Sequence, residues 1–544
     1  MVAIDIDDRR FPAAGSQTER EIFKNLQARL PDIYRNIAAD RRVAHTTIVV
    51  PSLSLDPEEL AKIEGTMYYE ERMLCMLMLL RRPRTRIIFV TSTPIHPIII
   101  QYYLSFLTGI PLGHATRRLT MLDTNDPSPK PLTQKIVESP WLLDRIRKNI
   151  ADPLRTHLVV FNTTPWERTL AVRLGIPVYG TDPDLHYLGS KSGCRAILKG
   201  AGIPIPEGFE NLKNGADVNQ ALDKLWQMRP EIKRAVVKLN EGFSGKGNAL
   251  FDYRPIAQYR NAPEHERREK IDSQLTVMKF GAEEDTWPHF RCQFEKLEGV
   301  VEEFVEGEIK ESPSVQARVN AIQEPQVIST HDQIMGGPAN QVFMGCTFPA
   351  KRDYRLALQE DGRKVADILS TKGVIGRFAV DYIMVKTPTG YERYAIEINL
   401  RRGGTTHPFA MLKFLIEGHY DEKNAIFVSE KGQEKYYLAL DSVMDPKYKG
   451  MSPEDLIDVI AYNELHFHTY LQRGVAYHMI GALSQIGKLG FTCIGDTREE
   501  TYRLREQTIE VLRKETTVEG RSERLEFYLR APQSYAGYYS TPRS

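Results

Sequence analysis

The segment 376–402, GRFAVDYIMVKTPTGYERYAIEINLRR, constrains the fold of this 544-residue chain more than any other stretch. Two runs rich in apolar, β-branched and aromatic residues, FAVDYIMV and YAIEINL, flank a turn at residues 387–390, Thr-Pro-Thr-Gly. Runs of this kind on both sides of a turn that contains proline and glycine are typical of a β-hairpin. The segment therefore predicts an antiparallel pair of strands.

Three side chains of this hairpin are candidate oxygen ligands for a metal ion, and the register of the strands decides whether they lie close together. Glu397 and Asn399 share a face, because residues i and i+2 of a strand point the same way. A strict two-residue turn would pair Asp381 with Ile396, whereas a bulge or a longer loop brings Asp381 opposite Glu397, and we assume such a shift. Three hard oxygens on one face suit Mg²⁺, which completes its shell with water and nucleotide phosphates. A hairpin that only exposes polar residues to solvent stays an open alternative.

The first part of the chain alternates short β-like runs with helical stretches. The β-like runs are TTIVVPS (46–52), RIIFVTS (86–92) and HLVVFNT (157–163), and helical patterns cover about 58–80, 97–107 and 165–174. This alternation predicts a parallel α/β sheet. Because open α/β sheets bind ligands at the carboxyl ends of their strands, we expect polar residues such as those at 162–164 to line a substrate cleft. No GxGxxG motif follows these runs, so a dinucleotide site is unsupported.

Composition and charge exclude several classes of function. The chain has 72 basic and 71 acidic residues and a net charge of +1, which gives no electrostatic case for binding nucleic acid or an anionic membrane. The five cysteines are scattered without a CxxC pair, which favours a reducing compartment and argues against a zinc site. The charged opening MVAIDIDDRR does not resemble a secretory signal, so we expect a cytoplasmic protein. The apolar window 94–112 contains three prolines and predicts a buried helix rather than a membrane span.

A glycine-rich loop and two lysines mark a second unit. The strand-like run AVVKL leads directly into NEGFSGKGNALF (240–251), where glycines allow the backbone to approach a polyphosphate. The loop is not a Walker A motif, because GxxxxGK[ST] is absent and a strand-like run follows. Lys238 stands in an apolar strand, where burial without a partner is costly, and a phosphate is one such partner. A plain hairpin tip and an outward-facing lysine are the alternatives.

The run VVEEFVEG (300–307) reads as a strand that ends in a hinge. Backbone groups at such a strand end can bind an adenine edge while Phe304 or Val305 packs on the ring, and Glu308 can accept ribose hydroxyls. On residue type alone, this segment is also compatible with an ordinary surface strand.

The order of these pieces carries a family resemblance. A lysine at a helix start, a strand lysine, a glycine loop, an E-E-F-V strand end, an Asp and an E-x-N-x-R run together resemble the ATP-grasp superfamily, over about residues 183–410. The segment 474–500, GVAYHMIGALSQIGKLGFTCIGDTREE, looks like the peptide-ligase family typified by the pheganomycin ligase. The resemblance implies an α/β chain with α+β nucleotide-binding lobes, in which an ATP-grasp fold follows a parallel α/β domain.

The resemblance also implies roles for individual residues. The backbones of Glu302 and Val305 would contact adenine, and Arg401 would face the reacting phosphoryl group. One departure is that Arg377 lies four residues before Asp381, whereas some ligases have an arginine two residues before the metal-binding Asp. The implied catalytic residues are Arg401, Lys246 and His407, where His407 is the candidate general base. The implied Mg²⁺ ligands are Asp381, Glu397 and Asn399, with Mn²⁺ as a second candidate ion. The implied nucleotide-binding residues are Lys191, Lys238, Gly242, Ser244, Gly245, Gly247, Glu302, Glu303, Phe304, Val305 and Glu308.

The reaction implied by the resemblance is ATP-driven amide or peptide bond formation. A carboxylate attacks the γ-phosphate of ATP to give an acyl phosphate and ADP, and an amine then displaces phosphate. Mg²⁺ and cationic side chains suit this chemistry because they neutralise the transferring phosphoryl group. The alternatives are a small-molecule kinase, a carboxylase-like enzyme or a nucleotide-binding regulatory protein. RGGTTHP after Arg401 lacks the Q-V-E segment of biotin carboxylases, which argues against the carboxylase.

The expected organisation has three parts. We expect an N-terminal α/β domain at 1–182, an ATP-grasp domain at 183–430 with lobes at 183–300 and 301–430, and a C-terminal helical or mixed extension at 431–544. Within these parts, 253–287 reads as a polar surface excursion, and helices are expected at 353–372, 453–472 and 498–515. The expected partners are a carboxylate and an amine, amino acids or peptides among them. Nucleic acid and membrane are not expected, and a homodimer stays open.

Overall fold

The computed structural model describes residues 11–242, 247–282, 285–336, 342–517 and 522. Its described strands form a five-stranded parallel sheet, a five-stranded antiparallel sheet and an eleven-stranded sheet. No described helix is long and apolar enough to cross a membrane.

The parallel sheet occupies the first part of the chain and has the strand order β3-β2-β1-β4-β5. All six residues of β1 are buried, as expected for a sheet covered by helices on both faces. The topology confirms the parallel α/β reading, although the two edge strands were not anticipated. The strands are β1 (His45–Val50), β2 (Thr85–Thr91), β3 (Leu119–Asp123), β4 (Thr156–Val160) and β5 (Val178–Tyr179).

Helices cover this sheet, but the helix expected at 58–80 is wrong in form. α3 ends at Ala61, Gly65 adopts a left-handed φ of 68°, and a 3₁₀ helix continues over Thr66–Arg81. The 3₁₀ helix has buried residues on all of its sides. Its sequence therefore lacks the alternation of apolar and polar positions that would distinguish one helix type from another. The helices are α1 (Gln17–Gln27), α2 (Leu30–Ala39), α3 (Pro57–Ala61), α4 (Pro97–Ser105), α5 (Leu112–Thr116), α6 (Leu132–Val137), α7 (Pro140–Asn149) and α8 (Pro165–Leu174).

The antiparallel sheet follows, with the order β6-β10-β7-β8-β9. The expected surface excursion at 253–287 is wrong, because Ile256, Ile271, Leu275 and Met278 pack into the core of this lobe. The segment is rich in charged residues, so its few buried apolar positions are hard to recognise in the sequence. The elements are α9 (Lys191–Gly200), β6 (Gly208–Leu212), α10 (Gly215–Met228), β7 (Arg234–Leu239), β8 (Asn248–Asp252), α11 (Glu264–Leu275), β9 (Lys279–Phe280), α12 (Trp287–Leu297) and β10 (Gly299–Glu303).

The eleven-stranded sheet carries the hairpin. Its main path is β11-β15-β12-β13-β14-β19-β18-β17, and β16 pairs with β15 off this path. The helix α13 (Arg355–Thr371) confirms the expectation for 353–372 and packs on β12 and β13. The other elements are β11 (Lys310–Glu311), β12 (Pro313–Val319), β13 (Pro325–Gly336), β14 (Val342–Phe348), β15 (Gly376–Thr387), β16 (Gly390–Asn399), α14 (Thr406–Leu415), β17 (Gly418–Asp421) and β18 (Ile426–Ser429).

The C-terminal segment adds strands to the same sheet. β19 (Glu434–Met444) pairs with β14, and β21 (Lys488–Gly495) pairs with both β19 and β20 (Gly474–His478). The helix expected at 453–472 ends early, since α15 covers only Pro453–Tyr462. The helix expected at 498–515 is confirmed as α17 (Arg498–Glu515), and α16 (Ala482–Ile486) lies before β21.

Candidate functional site

The hairpin of β15 and β16 has the shifted register that was assumed from the sequence. Thr387 pairs with Gly390, so the connecting loop contains two residues, and a bulge between Asp381 and Tyr382 shifts the register by one. Asp381 therefore lies opposite Glu397, and Ala379 lies opposite Asn399. The bulge that we assumed is confirmed.

The three oxygen-bearing side chains of the hairpin converge. The amide of Asn399 donates to Asp381 Oδ2 at 2.8 Å and to Glu397 Oε1 at 3.0 Å. Gln333 of β13 donates to Asp381 Oδ1 at 2.9 Å, and Ser314 of β12 also hydrogen-bonds Asp381. Burial raises the pKa of Asp381, against the opposing effects of Ser314, Arg401 and Lys191. Sequence reasoning missed Gln333 and Ser314, because only the sheet pairing brings their strands beside the hairpin.

Lys191 joins this cluster from the start of α9. Its ammonium forms an ion pair with Glu397. Burial and the nearby ammonium of Lys238 lower the pKa of Lys191 to about 8. Asn240, at the start of the glycine loop, accepts from the backbone N–H of Lys191 at 3.2 Å and from that of Ser192 at 2.9 Å. The helix start, the loop and the hairpin are therefore tied together.

Lys238 lies at the end of β7 and belongs to a buried ionic network. It forms an ion pair with Glu302 of β10, whose other oxygen accepts from Arg195 Nη1 at 2.8 Å. Arg195 also lies 3.4 Å from Glu210. Lys238, Glu302 and Arg195 are 7%, 3% and 2% exposed. The role of Arg195 was missed, because a cation in a helix gives no sign of a partner on a distant strand.

The glycine loop is described only at its two ends. The backbone N–H of Leu239 donates to the carbonyl of Gly247 at 2.9 Å and closes the loop, and Gly247 has a φ of 86° that favours glycine. Gly242 is exposed at the other end. Ser244, Gly245 and Lys246 lie outside the described residues.

The expected adenine segment lies at the end of β10. Glu302 is in a central strand that pairs with both β6 and β7. Phe304 is flanked by two cations, with Arg234 at 4.1 Å and Lys310 at 4.5 Å from its ring centre. The carbonyl of Val305 accepts from Lys310 at 3.3 Å. Among the remaining expected residues, Glu303 is half-buried near Arg229 and Glu308 is exposed.

Three arginines line a small cavity beside the hairpin. Arg377, Arg401 and Arg402 meet Asn162 and Thr163, which follow β4 of the parallel sheet. Its lining therefore includes residues that the sequence analysis placed at the carboxyl end of a strand, and none of the described residues that line it is acidic. Burial, Arg402 and Arg318 together lower the pKa of Arg377 to about 9. Its Nη1 atom is buried and has no hydrogen-bond partner among the described residues. A cavity with this charge favours an anionic ligand.

His407 contacts another cluster. Its Nε2 lies 3.1 Å from His478 Nε2 and 3.4 Å from Asp441 Oδ1, and the side chain is buried. Burial and His478 lower the pKa of His407 well below its ordinary value. The imidazole therefore contacts a buried histidine and a carboxylate, a setting that does not favour the expected role as general base.

Comparison with known proteins agrees with this geometry. Residues 183–423 match the family described as IQCH-like, ATP-grasp. These residues form an ATP-grasp domain. Residues 455–508 match the PGM1 C-terminal domain, a region that includes the 474–500 segment. The resemblance to the ATP-grasp superfamily is confirmed.

Two curated proteins are similar to this chain. L-propargylglycine–L-glutamate ligase of Streptantibioticus cattleyicolor is 28% identical over 464 residues, which cover 84% of this chain and 91% of that protein. IQ motif-containing protein H of Danio rerio is 25% identical over 437 residues, which cover 72% of this chain and 41% of that protein.

Solved structures are similar to this chain at low sequence identity. The biotin carboxylase domain of 2-oxoglutarate carboxylase from Hydrogenobacter thermophilus has a TM-score of 0.49 and 10% identity, and the match covers 85% of this chain and 89% of that chain. N5-carboxyaminoimidazole synthetase from Staphylococcus aureus has a TM-score of 0.45 and 12% identity, covering 87% and 98%.

Proposed function

We propose that this chain is an ATP-dependent ligase that joins a carboxylate to an amine through an acyl phosphate. The observation that carries the proposal is the convergence of Asp381, Glu397 and Asn399 with Lys191 on the hairpin of an ATP-grasp domain. The similarity to a ligase over most of both chains supports carbon–nitrogen bond formation.

The nucleotide phosphates are assigned to the lysines and the glycine loop. Lys191 and Lys238 present two ammonium groups near the hairpin carboxylates, and a polyphosphate can replace Glu397 and Glu302 as their partner. The loop from Gly242 to Gly247, which includes Ser244, Gly245 and Lys246, would cover the phosphates. The strand end would contact the base and the ribose through Glu302, Glu303, Phe304, Val305 and Glu308.

The hairpin side chains fit a Mg²⁺ ion. Two carboxylates and one amide offer the oxygen donors that Mg²⁺ takes, with Mn²⁺ as an alternative. Rotation of the Asn399 amide by about 180° would turn its oxygen, in place of its nitrogen, toward Asp381 and Glu397 and make it a metal ligand. When bound, the ion supplies charge neutralisation for the transferring phosphoryl group.

Arg401 and the cavity beside it would hold the acyl donor. Attack of the donor carboxylate oxygen on the γ-phosphorus forms the acyl–phosphate bond and breaks the bond to ADP. The amine nitrogen then forms the amide bond, phosphate leaves with the bonding electrons, and the amine loses a proton. Arg401 can stabilise the acyl phosphate because a planar guanidinium binds two oxygens at once. Arg377 and Arg402 make the cavity cationic, which favours a donor with a second anionic group.

Phosphate release distinguishes this proposal from its alternatives. Wild-type protein is incubated with MgATP and pools of amino acids, peptides and other carboxylates, with and without an amine pool, and inorganic phosphate is measured. A ligase releases phosphate only when both pools are present, whereas a kinase consumes ATP without releasing phosphate. Glu397→Gln should reduce turnover by at least about 100-fold, because it removes a charged metal ligand. Substrate-independent turnover, or full turnover in Glu397→Gln, would overturn the assignment.

A further inference from the structure

A buried side-chain cluster outside the nucleotide site brings together two histidines and an aspartate. His407 lies in the first turn of α14, Asp441 in β19 and His478 at the end of β20. The three residues are 6%, 4% and 3% exposed. Among the described residues, this is the one group of three His, Cys, Asp or Glu ligand atoms within 4.8 Å of one another.

The three facing atoms form a nearly regular triangle. His478 Nε2 lies 2.8 Å from Asp441 Oδ1, the two Nε2 atoms are 3.1 Å apart, and His407 Nε2 lies 3.4 Å from the same oxygen. Protons cannot satisfy all three contacts. If both Nε2 atoms carry hydrogens, two N–H groups oppose each other, and if only one does, a lone pair faces the carboxylate.

A metal ion satisfies all three contacts at once. A point equidistant from the three atoms in their plane is about 1.8 Å from each, so an ion at the usual ~2.05 Å would lie about 1 Å out of the plane. That displacement lies between those of a tetrahedral and an octahedral face. Two imidazoles and one carboxylate suit zinc and its first-row neighbours better than Mg²⁺, which prefers oxygen.

The surroundings of the triangle support an ion. Arg72 Nη2 forms an ion pair at 2.7 Å with Asp441 Oδ2, the carboxylate oxygen that does not face the histidines. Gly490 allows the His478 ring to pack closely in this position, because a Cβ at residue 490 would lie 2.1 Å from His478 Nε2.

We propose that His407, Asp441 and His478 bind one divalent first-row transition ion, with zinc as the best fit, and that this ion is structural. Its ligands come from three separate elements. The ion would link the segment that follows Arg401 and Arg402, through α14, to the C-terminal strands β19 and β20. It is distinct from the nucleotide's Mg²⁺, whose oxygen ligands lie on the hairpin.

The test uses full-length protein without ATP or Mg²⁺. After equilibration with zinc and gel filtration, metal content is measured, and thermal unfolding is followed before and after treatment with a chelator. We expect about one zinc per chain and a fall in Tm of roughly 5 °C or more on chelation that added zinc reverses. Co²⁺ in place of zinc should give a visible absorption spectrum typical of a site with nitrogen ligands.

Variants assign the metal to the cluster. His478→Gln should lose the zinc and its Tm response, while His466→Gln should keep both. His466 is the matched control because its ring lies 4.1 Å from that of His468 and offers an alternative histidine pair. Glu397→Gln should also keep the zinc. If His478→Gln does not fold, the wild-type chelation and Co²⁺ measurements decide the question. Less than about 0.1 zinc per wild-type chain without a Tm response, or loss of zinc in His466→Gln alone, would overturn the proposal.

Discussion

Glu302 pairs with two buried cations, and its replacement tests how much these ion pairs contribute to the stability of the nucleotide-binding lobe. Its carboxylate contacts Lys238 and, at 2.8 Å, Arg195. Glu302→Gln keeps the shape of the side chain but removes the charge. Arg195 retains Glu210 at 3.4 Å, whereas Lys238 is left without its carboxylate and beside the ammonium of Lys191.

The magnitude follows from burial. Removing one partner of a buried ion pair costs about 3–5 kcal/mol, and because Arg195 keeps a second partner we expect the lower end, about 3 kcal/mol. For a unit of the size of residues 183–423, roughly 2–4 °C of Tm per kcal/mol gives a fall of about 6–12 °C. Lys238→Met should cost less, since Glu302 stays paired with Arg195, but it should weaken ATP binding at least tenfold.

Differential scanning calorimetry and binding of a non-hydrolysable ATP analogue measure these effects. Glu306→Gln is the matched control, because Glu306 pairs with Arg234 at 2.6 Å and its side chain is 43% exposed, and a surface pair contributes about 0–1 kcal/mol. Saturating ATP should restore part of the Tm lost in Glu302→Gln, because phosphates replace the missing anion. A Glu302→Gln protein within about 2 °C of wild type, or a control that falls equally, would refute the reasoning.

Two further predictions concern other cations of the site. The pKa of Lys191 is lowered to about 8, so its side chain is protonated below that pH and neutral above it. The affinity for an ATP analogue should therefore be constant near pH 7 and fall between about pH 8 and 9.5. The Lys191→Arg variant should not show this pH dependence. A wild-type affinity that stays constant to pH 9.5 would contradict this. Arg377→Met removes a buried guanidinium that lies near the guanidinium of Arg402, so the Tm of the variant should not fall. Once phosphate release has identified the acyl donor, the kcat/KM for that donor should fall at least about tenfold in the variant. A lowered Tm with unchanged kcat/KM would assign Arg377 a purely structural role.

Part of this site could be predicted because its signals are local. The period of two along a strand placed Glu397 and Asn399 on one face, and the bulge that was assumed in order to bring Asp381 opposite Glu397 is present between Asp381 and Tyr382. The α17 boundaries followed from equally local cues, since Thr497 caps the helix and acidic residues fill its first turn.

The rest depends on pairings that a single sequence does not display. Val236 lies opposite Glu302 and Val300 lies opposite Lys238, so the ion pair is diagonal across two strands separated by more than sixty residues. β20 and β21 are buried at every position, so they lack the alternation that marks a half-buried strand. The surroundings of His407 depend on distant elements in the same way, because its partners Asp441 and His478 lie on β19 and β20.

The pairing of β19 with β14 has a consequence for dissecting the molecule. The ATP-grasp match ends at residue 423, but four residue pairs join β14 to β19, which begins at Glu434. A chain cut after residue 423 would leave β14 as an unprotected sheet edge, which promotes aggregation. It would also lack Asp441 and His478, the partners of His407. A fragment that keeps the nucleotide-binding lobes should therefore also keep β19, β20 and β21, which cover the edge of β14 and supply the partners of His407.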